Sequence, residues 1–122
     1  MNNQKHETGD IIPWTNGTGS AVVSGQVVKM LNTLGIACGD IADGATGSVK
    51  ISGVFTDIPK VTAAVFVQGE KLIWDVSAGK FDDSAATPAT GDVTGAAIAW
   101  VAGTSSDTTC TIKLTPGNTT VT

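Results

Sequence analysis

The sequence predicts an all-β fold: a small β-sandwich or barrel of short strands with a flexible N-terminal arm and at most one short helical turn. Three observations carry this expectation. Fifteen glycines punctuate 122 residues, the apolar runs between them are short and rich in Thr, Ser, Val and Ala, and long helix formers are few. A chain of this size buries roughly two thirds of its unfolded surface, enough for one core without covalent staples. One β domain is expected over residues 15–115, preceded by the arm at 1–14 and followed by a polar tail at 116–122.

Residues 1–9 are polar and unpatterned, the composition of a segment that is mobile in the free protein. Asp10, Ile11, Ile12, Pro13 and Trp14 differ. Two isoleucines, a proline and a tryptophan beside a polar terminus mark either a short edge strand or an arm that docks on a partner. Proline suits an edge, where its missing N–H is not needed. Trp14 equally suits a cover over one end of the domain's own core.

Asn16-Gly17-Thr18-Gly19 is a turn, and residues 20–31 give two short apolar runs broken at Ser24-Gly25. Strand is next expected from Leu34 to Cys38, followed by turn-rich residues 39–47. The stretch 48–60, SVKISGVFTDIPK, is expected to organise the rest. Val49, Ile51 and Phe55 share one face of a strand, while Lys50 and Ser52 share the other. Gly53 interrupts the alternation as a bulge, which would bury both Val54 and Phe55. Pro59 ends ladder pairing on its own nitrogen. Further strands are expected at 63–67, 71–75, 80–81, 93–101 and 108–115, with a loop of small and acidic residues at 82–90.

The chain also matches itself. Val22-Val23-Ser24-Gly25-Gln26-Val27-Val28 is similar to Phe66-Val67-Gln68-Gly69-Glu70-Lys71-Leu72. Gly35-Ile36-Ala37, followed at a distance by Val49-Lys50-Ile51, is similar to Gly95-Ala96-Ala97 followed by Ile112-Lys113-Leu114. Two similar β units packed face to face are expected, the second carrying an insertion around residues 82–90.

Catalytic chemistry finds no constellation. The single histidine, His6, lies in the polar arm, so no positioned acid–base pair includes it. Neither Gly44-Ala45-Thr46-Gly47-Ser48-Val49-Lys50 nor Ala78-Gly79-Lys80-Phe81 spells a phosphate-binding loop. Asp75, Asp82, Asp83 and Asp92 carry oxygen ligands suited to calcium, but their spacing matches no binding loop and reads as a solvated acidic turn. No cofactor is expected. Net charge is −4, all seven basic residues are scattered lysines, and arginine is absent, which argues against a nucleic-acid partner. No apolar run has the length of a bilayer span and no signal-peptide pattern opens the chain, so a soluble protein without a membrane partner is expected. Cys38 and Cys110 read as buried small hydrophobes in strands rather than a disulfide framework. Trp74 and Trp100 suit core or subunit contacts, and any of the three tryptophans, if exposed, suits stacking on sugars.

The order of these motifs carries a resemblance. Ser24-Gly25-Gln26-Val27-Val28, Gly35-Ile36-Ala37, residues 40–47 (DIADGATG), Gly53-Val54-Phe55 with Pro59-Lys60, Gln68-Gly69-Glu70-Lys71, Trp74-Asp75, Ala78-Gly79-Lys80 and Ile112-Lys113-Leu114 follow one another. This succession resembles the capsid cement, or head decoration, proteins of tailed bacteriophages, a family often mislabelled as RecA/RadA-like. Ile73 departs from the aromatic usual before the tryptophan, and residues 82–90 and 116–122 look particular to this chain. The resemblance implies a non-enzymatic virion protein, made in the host cytoplasm. It would bind the major capsid protein on the outer surface of the expanded head, commonly as a homotrimer, and stabilise the shell. Asp10, Ile11, Ile12, Pro13 and Trp14 are then the expected capsid-binding residues, the arm ordering on contact to add a strand to the shell. Removing residues 1–14 would leave the fold intact. The alternative is a carbohydrate-binding β domain on the virion surface.

Overall fold

Short β-branched runs separated by glycine turns become ten antiparallel strands in the computed structural model, which describes residues 9–122. No helix occurs among the described residues. Met1 through Thr8, and with them His6 and most of the expected arm, lie outside them. Strands β1 (Ile11–Thr15), β2 (Val27–Met30), β3 (Thr33–Ala37) and β4 (Thr46–Lys50) form a four-stranded sheet in the order β1-β4-β3-β2. The second, six-stranded sheet contains β5 (Val54–Pro59), β6 (Lys71–Asp75), β7 (Lys80–Asp82), β8 (Val93–Ala99), β9 (Thr109–Leu114) and β10 (Thr120–Val121). Its order is β5-β9-β8-β6-β7, with β10 alongside β8.

The two sheets are copies of one unit, and their hydrogen bonds show it. In the first copy Gly25 N–H donates to Ala37 O and Ala37 N–H to Gln26 O; in the second Gly69 N–H donates to Ala99 O and Ala99 N–H to Glu70 O. Val22 and Ile41 exchange a pair of bonds, as do Phe66 and Gly103. Cys38 N–H donates to Ser48 O and Trp100 N–H to Thr111 O. The units begin alike too, with Asn16 N–H on Ala45 O and Lys60 N–H on Thr108 O. Thus β1, β2, β3 and β4 correspond to β5, β6, β8 and β9. The turn glycines Gly25 and Gly69 have φ of 85° and 83°, a conformation that only glycine adopts freely.

The correspondence runs differently from the sequence match at one place. Ala37 is equivalent to Ala99, not Ala97, because the β6–β8 pairing slips between Lys71 and Ile73 and β8 carries extra residues around Gly95. The insertion in the second unit is also longer than expected. A two-residue turn, Leu31-Asn32, joins β2 to β3, whereas β7 and the loop after it separate β6 from β8.

Alternation along the strands divides the first sheet between two cores. Val27, Leu34 and Ile36 enter the large core with Phe66, Leu72, Trp74, Phe81 and Ile112 of the second unit. Val28, Ala37 and Val49 face the other way, into a small core closed by Val22 and Ile41. Phe66, Leu72, Phe81 and Ile112 are at most 1% exposed, and each such side chain contributes about 1.5–3 kcal/mol through burial. Trp74 meets Phe81 edge to face at 4.8 Å between centroids.

Gly53 is not a bulge within one strand. It has φ of 113° and stands where the chain leaves the first sheet for the second. Val54 is consequently 44% exposed rather than buried, opposite Lys113 on an outward face. The bulge falls instead between Phe55 and Ile58, where Asp57 takes φ of 57°. Cys38 differs as well: it lies one residue beyond β3, exposed and free, while free Cys110 is buried. Within the residues expected as a tail, Thr120 and Val121 return to pair with Thr94 and Val93.

Candidate functional site

Asp10, Ile11, Ile12, Pro13 and Trp14 fall at one edge of the four-stranded sheet, with residues 11–14 inside β1. Asp10 O accepts from Ile51 N–H and Asn16 N–H donates to Ala45 O, so the even-numbered residues of β1 bond to β4. The backbone groups of Ile11, Pro13 and Thr15 therefore face outward. Pro13 occupies an outward position, where the sheet loses nothing by its missing N–H and an added strand would lack one donor. Ser52 Oγ donates to the Asp10 carboxylate at 2.7 Å and ties the start of the strand down. Ile11 and Ile12 point to opposite faces and are 50% and 40% exposed. Trp14 is half-buried against the small core together with Met30.

Removing residues 1–14 would strip most of β1 from β4 and uncover that core, so the expectation of an intact fold after this truncation does not fit the structure.

A second surface lies on the other unit. Val65, Val67, Trp100 and Val101 are exposed apolar residues on either side of the Phe66–Gly103 bridge. Gln68 Nε2 donates to Trp100 O and holds the two loops together. The strand expected at 93–101 stops short: β8 ends at Ala99 and the exposed Trp100 lies just beyond it. Of the tryptophans considered as sugar platforms, Trp74 is in the core and Trp14 is half-buried.

The acidic residues organise turns. Asp75 Oδ1 accepts from Ser77 Oγ, Ser77 N–H and Ala78 N–H, and these bonds, the Ser77 hydroxyl first, lower its pKa. Buried Asp92 accepts from Val76 N–H and Ala89 N–H. No cluster suited to a metal ion occurs among the described residues. Burial works to raise the Glu70 pKa, but the Ser84 hydroxyl and the amides of Val67 and Ser84 outweigh it and lower the value.

Burial pushes the Cys110 thiol up to about 12, against the opposing charge of Lys60. Lys60, the last residue of the 48–60 stretch, is fully buried. Its ammonium donates to Val61 O at 3.0 Å and Asp107 O at 3.3 Å and stands 5.2 Å from the Phe66 ring centroid. The equivalent Asn16 is also fully buried and donates to Ser20 O and Ile41 O. Both polar groups satisfy loop carbonyls, which is a structural role.

A family model described as phage cement protein matches residues 6–114. The chain belongs to the phage cement protein family. Membership makes it a structural phage protein, a component of the virion associated with the capsid. The match takes in both units and ends at Leu114, the last residue of β9, so β10 lies beyond the cement-protein span. No match was found among the curated proteins or among the solved structures.

Proposed function

We propose that this cement protein binds the outer surface of the expanded capsid through the major capsid protein, as a homotrimer, and stabilises the shell without catalysing a reaction. The observation that carries this reading is the cement-family match across residues 6–114. The proposed contact is Asp10, Ile11, Ile12, Pro13 and Trp14, with Ile11 and Ile12 supplying exposed apolar area at a sheet edge. Pro13 weakens strand addition to this edge, so side-chain burial supplies most of the affinity at β1. One such contact is small, and repetition on a multivalent shell raises the effective concentration of the others.

Co-sedimentation of the purified chain with expanded, undecorated heads and with unexpanded procapsids tests the reading. Saturable binding to expanded heads alone is expected; binding to neither would overturn it. Ile11→Asp with Ile12→Asp is expected to weaken that binding while the far-ultraviolet circular dichroism stays unchanged. Undiminished binding by this variant would remove β1 from the contact.

A further inference from the structure

The outward face of the second sheet is the duplicate of a face that the first unit buries. The ladder registers align one row across four strands in each unit: Val27, Ile36, Lys50 and Ile11 in the first, Lys71, Ile98, Lys113 and Val54 in the second. Residues opposite one another on neighbouring strands share a face. In the first unit Val27 and Ile36 of this row enter the large core. In the second the row points away from the core: Lys71, Lys113 and Val54 are exposed, and Ile98 is half-buried between the two lysines.

A second row runs beside the first. Trp100 N–H donates to Thr111 O, and the Thr111 and Thr56 hydroxyls share a hydrogen bond of 3.0 Å. Alternation puts the 46% exposed Trp100 on the Ile98 side of the sheet, roughly 7 Å further along the strand direction. Gln68, Gly69, Ile98, Ala99, Trp100 and Val101 line an open hollow of roughly 300 Å³ there, the size of a small-ligand site. Gln68 Nε2 is committed to Trp100 O, which leaves the amide oxygen as an acceptor. Nothing lies within 4 Å of where a Cβ on Gly69 would stand, so the approach is open on that side. The chain has a net charge of −4, yet these two rows hold two lysines and no carboxylate. Lys71 and Lys113 stand two strand spacings, roughly 10 Å, apart. The neighbouring acids are engaged or turned elsewhere. Glu70 accepts from Val67 N–H and from Ser84, Asp107 accepts from Thr104 N–H, and Asp57 lines the cleft that holds Pro59 and Trp74.

We infer that this face binds an acidic glycan, with a sugar ring stacked on the Trp100 indole over the hollow and a carboxylate of the same glycan held by Lys71 and Lys113. Charge complementarity selects an anion, and the exposed indole beside an amide oxygen and two hydroxyls selects a sugar as its carrier. The exchange of Val27 for Lys71 between the units argues against an apolar protein face as the occupant. A sheet packed on this row as the second unit packs on the first would bury the Lys71 ammonium without a partner. A glycan leaves both lysine heads in water while their stems and Ile98 border its ring. The charged contacts are exposed, so binding weakens as salt is added. The site lies on the second sheet, whereas β1 belongs to the first, so the inference stands apart from the capsid contact and is read with the free chain.

Calorimetric titration of the full chain with carboxylated glycans tests it, using oligogalacturonate, alginate oligomers and oligosialate. Methyl-esterified oligogalacturonate supplies the sugar without the charge, and polyglutamate supplies the charge without the sugar. Saturable binding to at least one of the carboxylated glycans is expected, accompanied by a shift in tryptophan fluorescence. For oligogalacturonate the methyl ester is expected to bind more than roughly tenfold more weakly. Lys71→Gln with Lys113→Gln is expected to give a loss of the same size. Trp100→Ala is expected to remove the fluorescence shift and weaken the calorimetric binding more than roughly tenfold. These side chains are exposed, so circular dichroism should stay unchanged in every variant. Binding to none of the carboxylated glycans overturns the inference, as does undiminished binding by either variant. A methyl ester that binds as well as the acid would remove the lysines from the site and overturn it too. Polyglutamate binding as tightly as the glycans would mark a surface for acidic polypeptide and overturn it equally.

Discussion

The two units share a hydrogen-bond scaffold and fill it differently. In the first, Asn16, Val22 and Ile41 occupy the space beneath the loops; at the equivalent positions the second has Lys60, Phe66 and Gly103. Volume is traded between neighbours. A Cβ added at Gly47 would lie 2.5 Å from Ile41, so the first unit needs glycine there. The equivalent residue in β9 is Cys110, which has room because Gly103 replaces Ile41 and the Lys60 stem packs against that glycine. The backbone pattern sets what must be kept, and the side chains are free to change as long as the summed volume and polar satisfaction are conserved.

The largest break in this comparison comes from the buried polar pair. Lys60→Ala removes a stem from a filled site, leaves Asp107 O without its donor and Val61 O with the Ala64 N–H alone, a loss of about 3–5 kcal/mol. Asn16→Ala takes one of two donors from Ser20 O and from Ile41 O, which keep Thr18 Oγ1 and Val22 N–H, and leaves Thr18 N–H without its acceptor over a smaller void; it is expected to cost about 1–3 kcal/mol. Urea unfolding measures both. Equal losses would show that the polar contacts dominate and that the lysine stem adds no packing.

Next in size is the glycine against isoleucine. Gly47→Ala drives a methyl into Ile41 and is expected to destabilise by about 1–3 kcal/mol. Ile41→Ala empties the space and destabilises in the opposite sense. The double variant should be more stable than the summed single losses by at least about 0.5 kcal/mol, the signature of two residues sharing one volume. Strict additivity in the cycle would mean that the two side chains do not compete.

The Gln26 and Glu70 turns allow a pH comparison. Gln26 Oε1 accepts from Val23 N–H and Glu70 Oε1 from Val67 N–H, but only Glu70 reaches further, to Ser84. Its folded pKa lies below the ordinary 4.5. The carboxylate therefore adds stability above the unfolded value and loses it as pH falls through the folded one. The carboxylate is largely solvent-exposed, so the contribution stays under about 1 kcal/mol. Glu70→Gln is expected to flatten this acid limb relative to wild type when urea midpoints are compared between pH 7 and pH 3. An unchanged limb would assign it to other carboxylates.

How much of this was legible follows from which signals are local. The paired turns at Gly25 and Gly69 announced the duplication, because a left-handed turn leaves its glycine in the sequence. Pro13 suited an edge strand as well as a docking arm, and in β1 its nitrogen faces outward from the sheet. Lys60 could not be read, since a lysine at the end of a short strand is ordinarily solvated, and its burial depends on Asp107 O from a loop distant in sequence as well as on the neighbouring Val61 O. The slip at Gly95 was hidden for a related reason: a bulge changes alignment without changing residue type. The proposed contact segment, residues 10–14, was legible as composition, whereas its place inside the first sheet came from pairing with β4. Trp100 was legible as a core or contact residue, but its exposure was not, because where β8 stops depends on its pairing with β6 and β9.

The smallest expected effect separates scaffold from side chain most cleanly. Gly19 has φ of 86° and its equivalent, Ala63, has φ of 77°, so one unit holds an alanine in a conformation suited to glycine. Ala63 stays there because its N–H donates to Ser105 O at 2.9 Å and the Phe66–Gly103 bridge fixes the loop on either side. The left-handed conformation costs an alanine roughly 1–2 kcal/mol. Glycine relieves this but gains roughly 0.4–1 kcal/mol of freedom in the unfolded chain. Ala63→Gly should therefore stabilise by about 0.5–1 kcal/mol, and Gly19→Ala, with nothing within 4 Å of the added methyl, should destabilise by a similar amount. Thermal unfolding of the two variants reads the signs directly. If Ala63→Gly destabilises instead, the methyl makes a contact that outweighs its strain, and the second unit has diverged in its loops as well as its core.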